Sequence, residues 1–226
     1  MIGLLALNVA LQSGLNSFDA RLVSVHMVQH LFLLELVPAL LLHAQPLRLA
    51  LGALPARERR ALGHAFVSVR GHLTPAVCLT GFSAIVLGTH IPAAFDAAAR
   101  NQTLHDLQHF SYVVAGLLMW WPLLGEPAPR QRLGTVGQLI YLLIAMLPMA
   151  LIGGYLDRDQ TLFYPAYAAR TRALNVSPLF DQQQAGAIMW VTGTTLMAFT
   201  GLAAVLTAML RAEQRQRRRD LRQVIR

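Results

Sequence analysis

Long apolar runs separated by short polar stretches dominate the pattern of this chain. An α-helix needs roughly 17–25 mainly apolar residues to cross a bilayer. Runs near that length cover 20–43, 74–90, 104–124, 134–156 and 184–211. A sixth run, 2–15, is shorter and carries Asn8 and Gln12. The pattern predicts an all-α, polytopic membrane helical bundle with five clear transmembrane helices and a short, uncleaved first one.

The composition supports a membrane protein. Hydrophobic residues make up 55% of the chain and charged residues only 13%, which is too apolar for an ordinary soluble domain of 226 residues. We expect a single integral-membrane helical domain over 1–226, ending in a basic tail at about 212–226. Cys78 is the one cysteine, so the chain has neither a disulfide framework nor a Cys-x-x-Cys redox pair.

The distribution of positive charge predicts the orientation. All basic residues are arginines, and most lie in the loops 44–73 and 125–133 and in the tail after 211. Positive residues accumulate on the cytoplasmic side, so both termini are expected in the cytoplasm of a bacterial plasma membrane. Because the tail directly follows a span, membrane lipid is its expected partner rather than nucleic acid.

Two histidine pairs at helical spacing are the main candidates for chemistry. His26 and His30 are four residues apart near the start of one run, as are His105 and His109 near the start of another. Residues four apart share a helix face, and histidine is rare inside a membrane without a function. In the predicted orientation both pairs lie near the outer face, with His90 at the end of a third run. We predict a metal site there.

Six separated motifs occur in a fixed order along the chain. They are VHMVQHL at 25–31, IPAAFD at 91–96, LHDLQH at 104–109, WWPL at 120–123, MLPM at 146–149 and DQQQAGAIMW at 181–190. Together they resemble the CtaG family of integral-membrane cytochrome c oxidase assembly factors, from about Ala20 to the end of the last run. In this chain Glu35 stands where the resemblance leads us to expect an apolar residue.

The resemblance implies a non-enzymatic protein that handles copper during assembly of a haem–copper oxidase. The implied partners are cytochrome c oxidase subunits and other copper-delivery proteins. Imidazole suits both copper, as Cu(I) or Cu(II), and zinc, while thioether sulfur favours Cu(I). Met27 and Met149 therefore join the histidines as candidate metal ligands.

Three polar residues are candidates for supporting such a site. Asp181 is placed either to orient an imidazole or to cap a helix amino terminus. Gln182 and Asp106 are further candidates for contacts behind the ligands. Glu35 is five residues past His30, about 140° round a regular α-helix, so we expect it away from the histidine face.

Two alternatives use the same histidines. A b-type haem protein would take one axial ligand from each of two helices. An intramembrane zinc-dependent hydrolase would add an activated water and a carboxylate such as Asp106 or Asp181 as acid and base. The sequence also leaves open whether the chain forms a homo-oligomer in which two copies complete the site.

Overall fold

The computed structural model describes residues 21–44, 52–126 and 128–224. The short first span predicted at 2–15 lies outside these residues. The helices in chain order are α1 (Val23–Ala44), α2 (Ala56–His72), α3 (Pro75–Thr89), α4 (Pro92–Arg100), α5 (Gln102–Leu124), α6 (Thr135–Arg158), α7 (Pro165–Arg172) and α8 (178–224). The last helix, α8, consists of Pro178–Ala187, the π-helical turn Ile188–Gly193 and Thr194–Val224. A 3-10 turn, Pro129–Gln131, precedes α6.

The described part of the chain is helical and has no strand, as predicted for a membrane helical bundle. Three of its helices are long and apolar enough to cross a membrane, namely α1, α6 and the Pro178–Gln214 part of α8. The predicted count of five is not confirmed. α3 has only 15 residues; together with α2, from which it is bent by 82°, it has the length and composition of a fourth span. α5 has 23 residues, but polar residues occupy its first two turns.

The long helices form one bundle. α5 packs against α3 and α1, while α8 packs against α6 and α1. Small residues permit the closest approaches. A Cβ on Gly116 of α5 would collide with the Leu34 carbonyl oxygen of α1, and one on Gly153 of α6 would lie 2.7 Å from the Gly186 carbonyl oxygen of α8. Glycine at these positions lets the backbones meet directly.

α1 is interrupted by a π-helical turn, Phe32–Leu36. Pro38 has no N–H to donate to the Leu34 carbonyl, so the regular α-helical hydrogen bond is missing there. The wider turn instead pairs the Val37 N–H with the Phe32 carbonyl, five residues earlier. Glu35 lies within this π-helical turn, where regular α-helical geometry does not apply.

Candidate metal centre

The structure brings five histidines from three segments together at one end of the bundle, which we call the histidine end. The rings of His26 and His30 are 4.0 Å apart between centroids, and so are those of His105 and His109. Between helices, the His26 ring lies 5.2 Å from His105 and 5.5 Å from His109. The His90 ring, just after α3, lies 5.8 Å from that of His30.

Three of these residues form a set compact enough to share one metal ion, which we call the three-histidine set. One ring nitrogen each from His26, His30 and His109 lie within 4.8 Å of one another, and all three residues are buried. Within the described chain, neither ring nitrogen of His30 has a hydrogen-bond partner, and the same holds for His26 Nδ1 and His109 Nε2. Unpaired polar atoms are costly when buried, and a bound cation would pair with one ring nitrogen from each of the three imidazoles.

His90 presents a defined lone pair at the edge of the set. Its Nδ1 lies 2.8 Å from the Val86 carbonyl oxygen. A carbonyl only accepts hydrogen bonds, so we assign the ring proton to Nδ1, which leaves Nε2 as the acceptor atom. Nε2 is buried and has no hydrogen-bond partner among the described residues.

The other pair member, His105, lies at the rim. Its side chain is 20% exposed, and its Nδ1 is 4.0 Å from a carboxylate oxygen of Asp106. Asp106 itself is 68% exposed and accepts a 2.8 Å hydrogen bond from Gln102 Nε2. The Asp106 carboxylate therefore faces solvent more than it faces the imidazoles.

Asp181 lies in α8, but its side chain caps the amino terminus of α1. One carboxylate oxygen accepts a 2.7 Å hydrogen bond from the Val23 N–H, and the other accepts from the Ser24 N–H at 3.2 Å and from the Ser24 hydroxyl. Its own helix, α8, is capped by Ser177, whose hydroxyl accepts from the Phe180 N–H. Asp181 thus holds the first turn of the helix that carries His26 and His30.

Gln182 forms hydrogen bonds with the connection between α6 and α7. Its side-chain oxygen accepts a 2.7 Å hydrogen bond from the Phe163 N–H, and its side-chain nitrogen donates to the Thr161 carbonyl at 2.9 Å. Both bonds join this connection to α8. Gln182 therefore positions the segment that packs over the histidine end.

Aromatic residues that the sequence argument did not select form a roof over the imidazoles. Phe95 of α4 stacks on Tyr164 at 4.2 Å between ring centroids and lies edge-on to His26 at 5.4 Å. The Tyr164 hydroxyl donates a 3.1 Å hydrogen bond to the His90 carbonyl. Burial, with a smaller contribution from the Asp96 carboxylate, raises the pKa of Tyr164, so this hydroxyl keeps its proton. Phe95 belongs to the IPAAFD motif, and Tyr164 belongs to the connection between α6 and α7.

The two candidate thioether ligands, Met27 and Met149, are fully buried. The terminal methyl of Met149 packs at Gly193 of α8, where a Cβ would approach it to 2.7 Å. That contact is ordinary core packing, and the assignment of thioether ligands stays a prediction.

Comparison with known sequences identifies relatives. The profile of the family described as cytochrome c oxidase caa3 assembly factor (Caa3_CtaG) matches residues 1–212. Uncharacterized proteins of Mycobacterium bovis and Mycobacterium tuberculosis are each similar to the chain, at 30% identity over 97% of this chain and 35% of their own length. One from Mycobacterium leprae is 29% identical over 95% of this chain and 34% of its own. The chain thus spans about a third of these curated relatives. No solved structure matches it.

Proposed function

The chain belongs to the family of cytochrome c oxidase caa3 assembly factors, and from this premise we propose that it binds copper and delivers it while a haem–copper oxidase is assembled. The observation that supports this function best is the three-histidine set. Buried imidazole nitrogens that lack protein partners, within 4.8 Å of one another, are suited to hold one soft or borderline cation.

The ligand chemistry suits a cargo that must be released. Neutral imidazoles bind Cu(I), Cu(II) and zinc without a thiolate. Cys78 lies on the first turn of α3, about 18 Å along that helix from His90, so thiolate exchange at the histidine end would need another protein. In our proposal His26, His30 and His109 hold the ion, while His105 at the rim and His90 at the edge receive or pass it on. Met27 and Met149 complete the candidate ligands.

We further propose that α3 and α5 also cross the membrane and that the histidine end is extracytoplasmic. Both helices pack within the bundle against helices that are long and apolar enough to span. The arginine-rich α2 and the end of α8 lie at the opposite end, as expected for a cytoplasmic side. Oxidase subunits and copper-delivery proteins are then the partners at the outer face.

Metal loading of the purified chain tests the copper site. Wild type, His30→Ala and His109→Ala would be purified without oxygen, loaded with Cu(I), and assayed for bound copper by mass spectrometry and for copper ligands by X-ray absorption. We expect stoichiometric copper with nitrogen ligands in wild type and loss of copper in both variants. His64→Ala is the matched control, because it removes an exposed histidine of α2 and should leave copper unchanged.

Other outcomes would replace the proposal. Equal copper in wild type and His30→Ala would contradict the three-histidine set. A Soret band in the visible spectrum would indicate the haem alternative. Bound zinc with hydrolytic turnover, lost in the same variants, would indicate the hydrolase.

A further inference from the structure

α2 differs from every other long helix of the described chain in its position. It has 17 residues, and none of them is buried. It meets α3 at a bend of 82°. If α3 runs along the bundle, α2 therefore runs almost perpendicular to it, across the end opposite the histidines.

Three large apolar residues of α2 share one helix face, and two of its four arginines lie on the opposite face, while Arg59, Arg70 and Glu58 lie at the edges of the apolar face. Leu62, Phe66 and Val69 follow the i, i+4, i+7 spacing of one helix face, and Arg57 and Arg60 begin the opposite face with the same kind of spacing. Leu62 is 50% exposed and Val69 58% exposed. The apolar face of α2 is thus mostly uncovered by the described part of the chain.

Contacts at the carboxyl-terminal half of α2 determine which way its apolar face points. The Phe66 ring packs edge-to-face on Trp121, near the end of α5, at 5.8 Å between centroids. The Gly71 carbonyl accepts a 2.6 Å hydrogen bond from Gln131 Nε2. Because Phe66 shares a face with Leu62 and Val69, the contact with Trp121 turns that face back towards the bundle, and Arg57 and Arg60 point away from it.

We propose that α2 is an interfacial helix that lies in the surface of one bilayer leaflet and binds anionic phospholipid headgroups. Its apolar face then rests on the acyl chains beside the bundle, which explains why Leu62 and Val69 are exposed in the protein alone. The helix carries four arginines and a single acid, Glu58. Basic amphipathic helices of this kind bind preferentially to anionic lipid. This proposal does not depend on metal binding.

Depth measurements on the full chain test the proposal. Single cysteines would replace Leu62 or Arg60 in a Cys78→Ala background, carry a bimane label, and be studied in nanodiscs of phosphatidylcholine with phosphatidylglycerol. We expect nitroxide-labelled lipid to quench the label at 62 more strongly, and aqueous iodide to quench the label at 60 more strongly. Equal quenching of both labels by iodide would overturn the proposal, and protection of 62 only after an oxidase subunit is added would identify a protein surface instead.

Lipid selectivity provides a second measurement that does not depend on labelling α2. Association of spin-labelled phosphatidylglycerol, relative to phosphatidylcholine, would be compared for wild type and an Arg57→Gln, Arg60→Gln double variant. A surface arginine contributes up to about fivefold in preference for anionic lipid, so the double variant should lose most of the selectivity of α2. Arg100→Gln, which neutralises an exposed arginine of α4 near the histidine end, is the control for loss of an exposed arginine outside α2. An equal loss in this control and in the double variant would contradict a specific role of α2.

Discussion

Replacing Asp181 with alanine should destabilise the fold by about 2–4 kcal/mol, although the residue is a candidate for the metal site rather than for the core. The side chain is 2% exposed. Its carboxylate accepts hydrogen bonds from the backbone N–H groups of Val23 and Ser24 and from the Ser24 hydroxyl. Each buried donor left unpaired costs roughly 1–3 kcal/mol, and loss of a negative charge beside a helix amino terminus removes roughly 0.3–1 kcal/mol more.

Cys78 provides the assay. It is the one cysteine of the chain and is fully buried, so a thiol-reactive maleimide dye labels it only as the protein unfolds. For a protein of this size, a loss of about 3 kcal/mol lowers the unfolding midpoint by roughly 6–12 °C. Because α1 carries His26 and His30, we also expect copper affinity to fall about 10- to 100-fold, as for other residues that orient metal ligands.

Two further variants separate capping from a general effect of acidic residues. Asp181→Asn keeps one acceptor oxygen and should lose about half as much stability. Asp106→Ala removes a carboxylate that is 68% exposed at the same end and should shift the midpoint little. An Asp181→Ala protein that unfolds at the wild-type temperature would refute the reasoning, because the α1 cap would then contribute nothing.

Three other changes follow from the packing. Gly153→Ala should destabilise the fold by more than about 1 kcal/mol, since the new Cβ would lie 2.7 Å from the Gly186 carbonyl oxygen. The neighbouring Gly154→Ala is the control. Its Cβ would meet no atom within 4 Å, so this variant should be neutral or stabilising in the same maleimide assay. Glu35→Met should raise the unfolding midpoint, because neither buried carboxylate oxygen has a hydrogen-bond partner in the described chain. A lower unfolding midpoint would mean that Glu35 has a stabilising partner. Tyr164→Phe removes the hydrogen bond to the His90 carbonyl and should cost about 1 kcal/mol in chemical unfolding; no change would show that this bond does not hold the roof.

Helical periodicity was enough to find the main parts of the candidate site. His26 and His30, like His105 and His109, are adjacent on their helices whatever the rest of the chain does, because four residues make about one turn. The apolar runs likewise predicted α1, α6 and the first part of α8, since each can satisfy its own backbone hydrogen bonds in lipid. These inferences needed only local geometry.

The same local reasoning was incomplete where a bend or an irregular turn changes a helix. The run 74–90 was predicted to be a span by itself; the structure gives it a helix of 15 residues, α3, that bends by 82° from α2, and its crossing of the membrane stays a prediction. Glu35 was placed by regular α-helical spacing, whereas it belongs to the π-helical turn Phe32–Leu36; its expected position away from the histidine face stays a prediction. Hydropathy averages contain neither the bend nor the extra residue of the turn.

The sequence by itself determined that the chain is a helical membrane protein and which histidines are neighbours along each helix. Only the tertiary structure decided that His109 joins His26 and His30 while His105 stays at the rim, and that Phe95 and Tyr164 cover them. It also decided that Asp181 caps α1, a helix that begins 158 residues earlier in the chain. Periodicity specifies on which face of its helix a residue lies. Which other helix that face contacts depends on how several helices pack together, and no pattern within one helix contains that information.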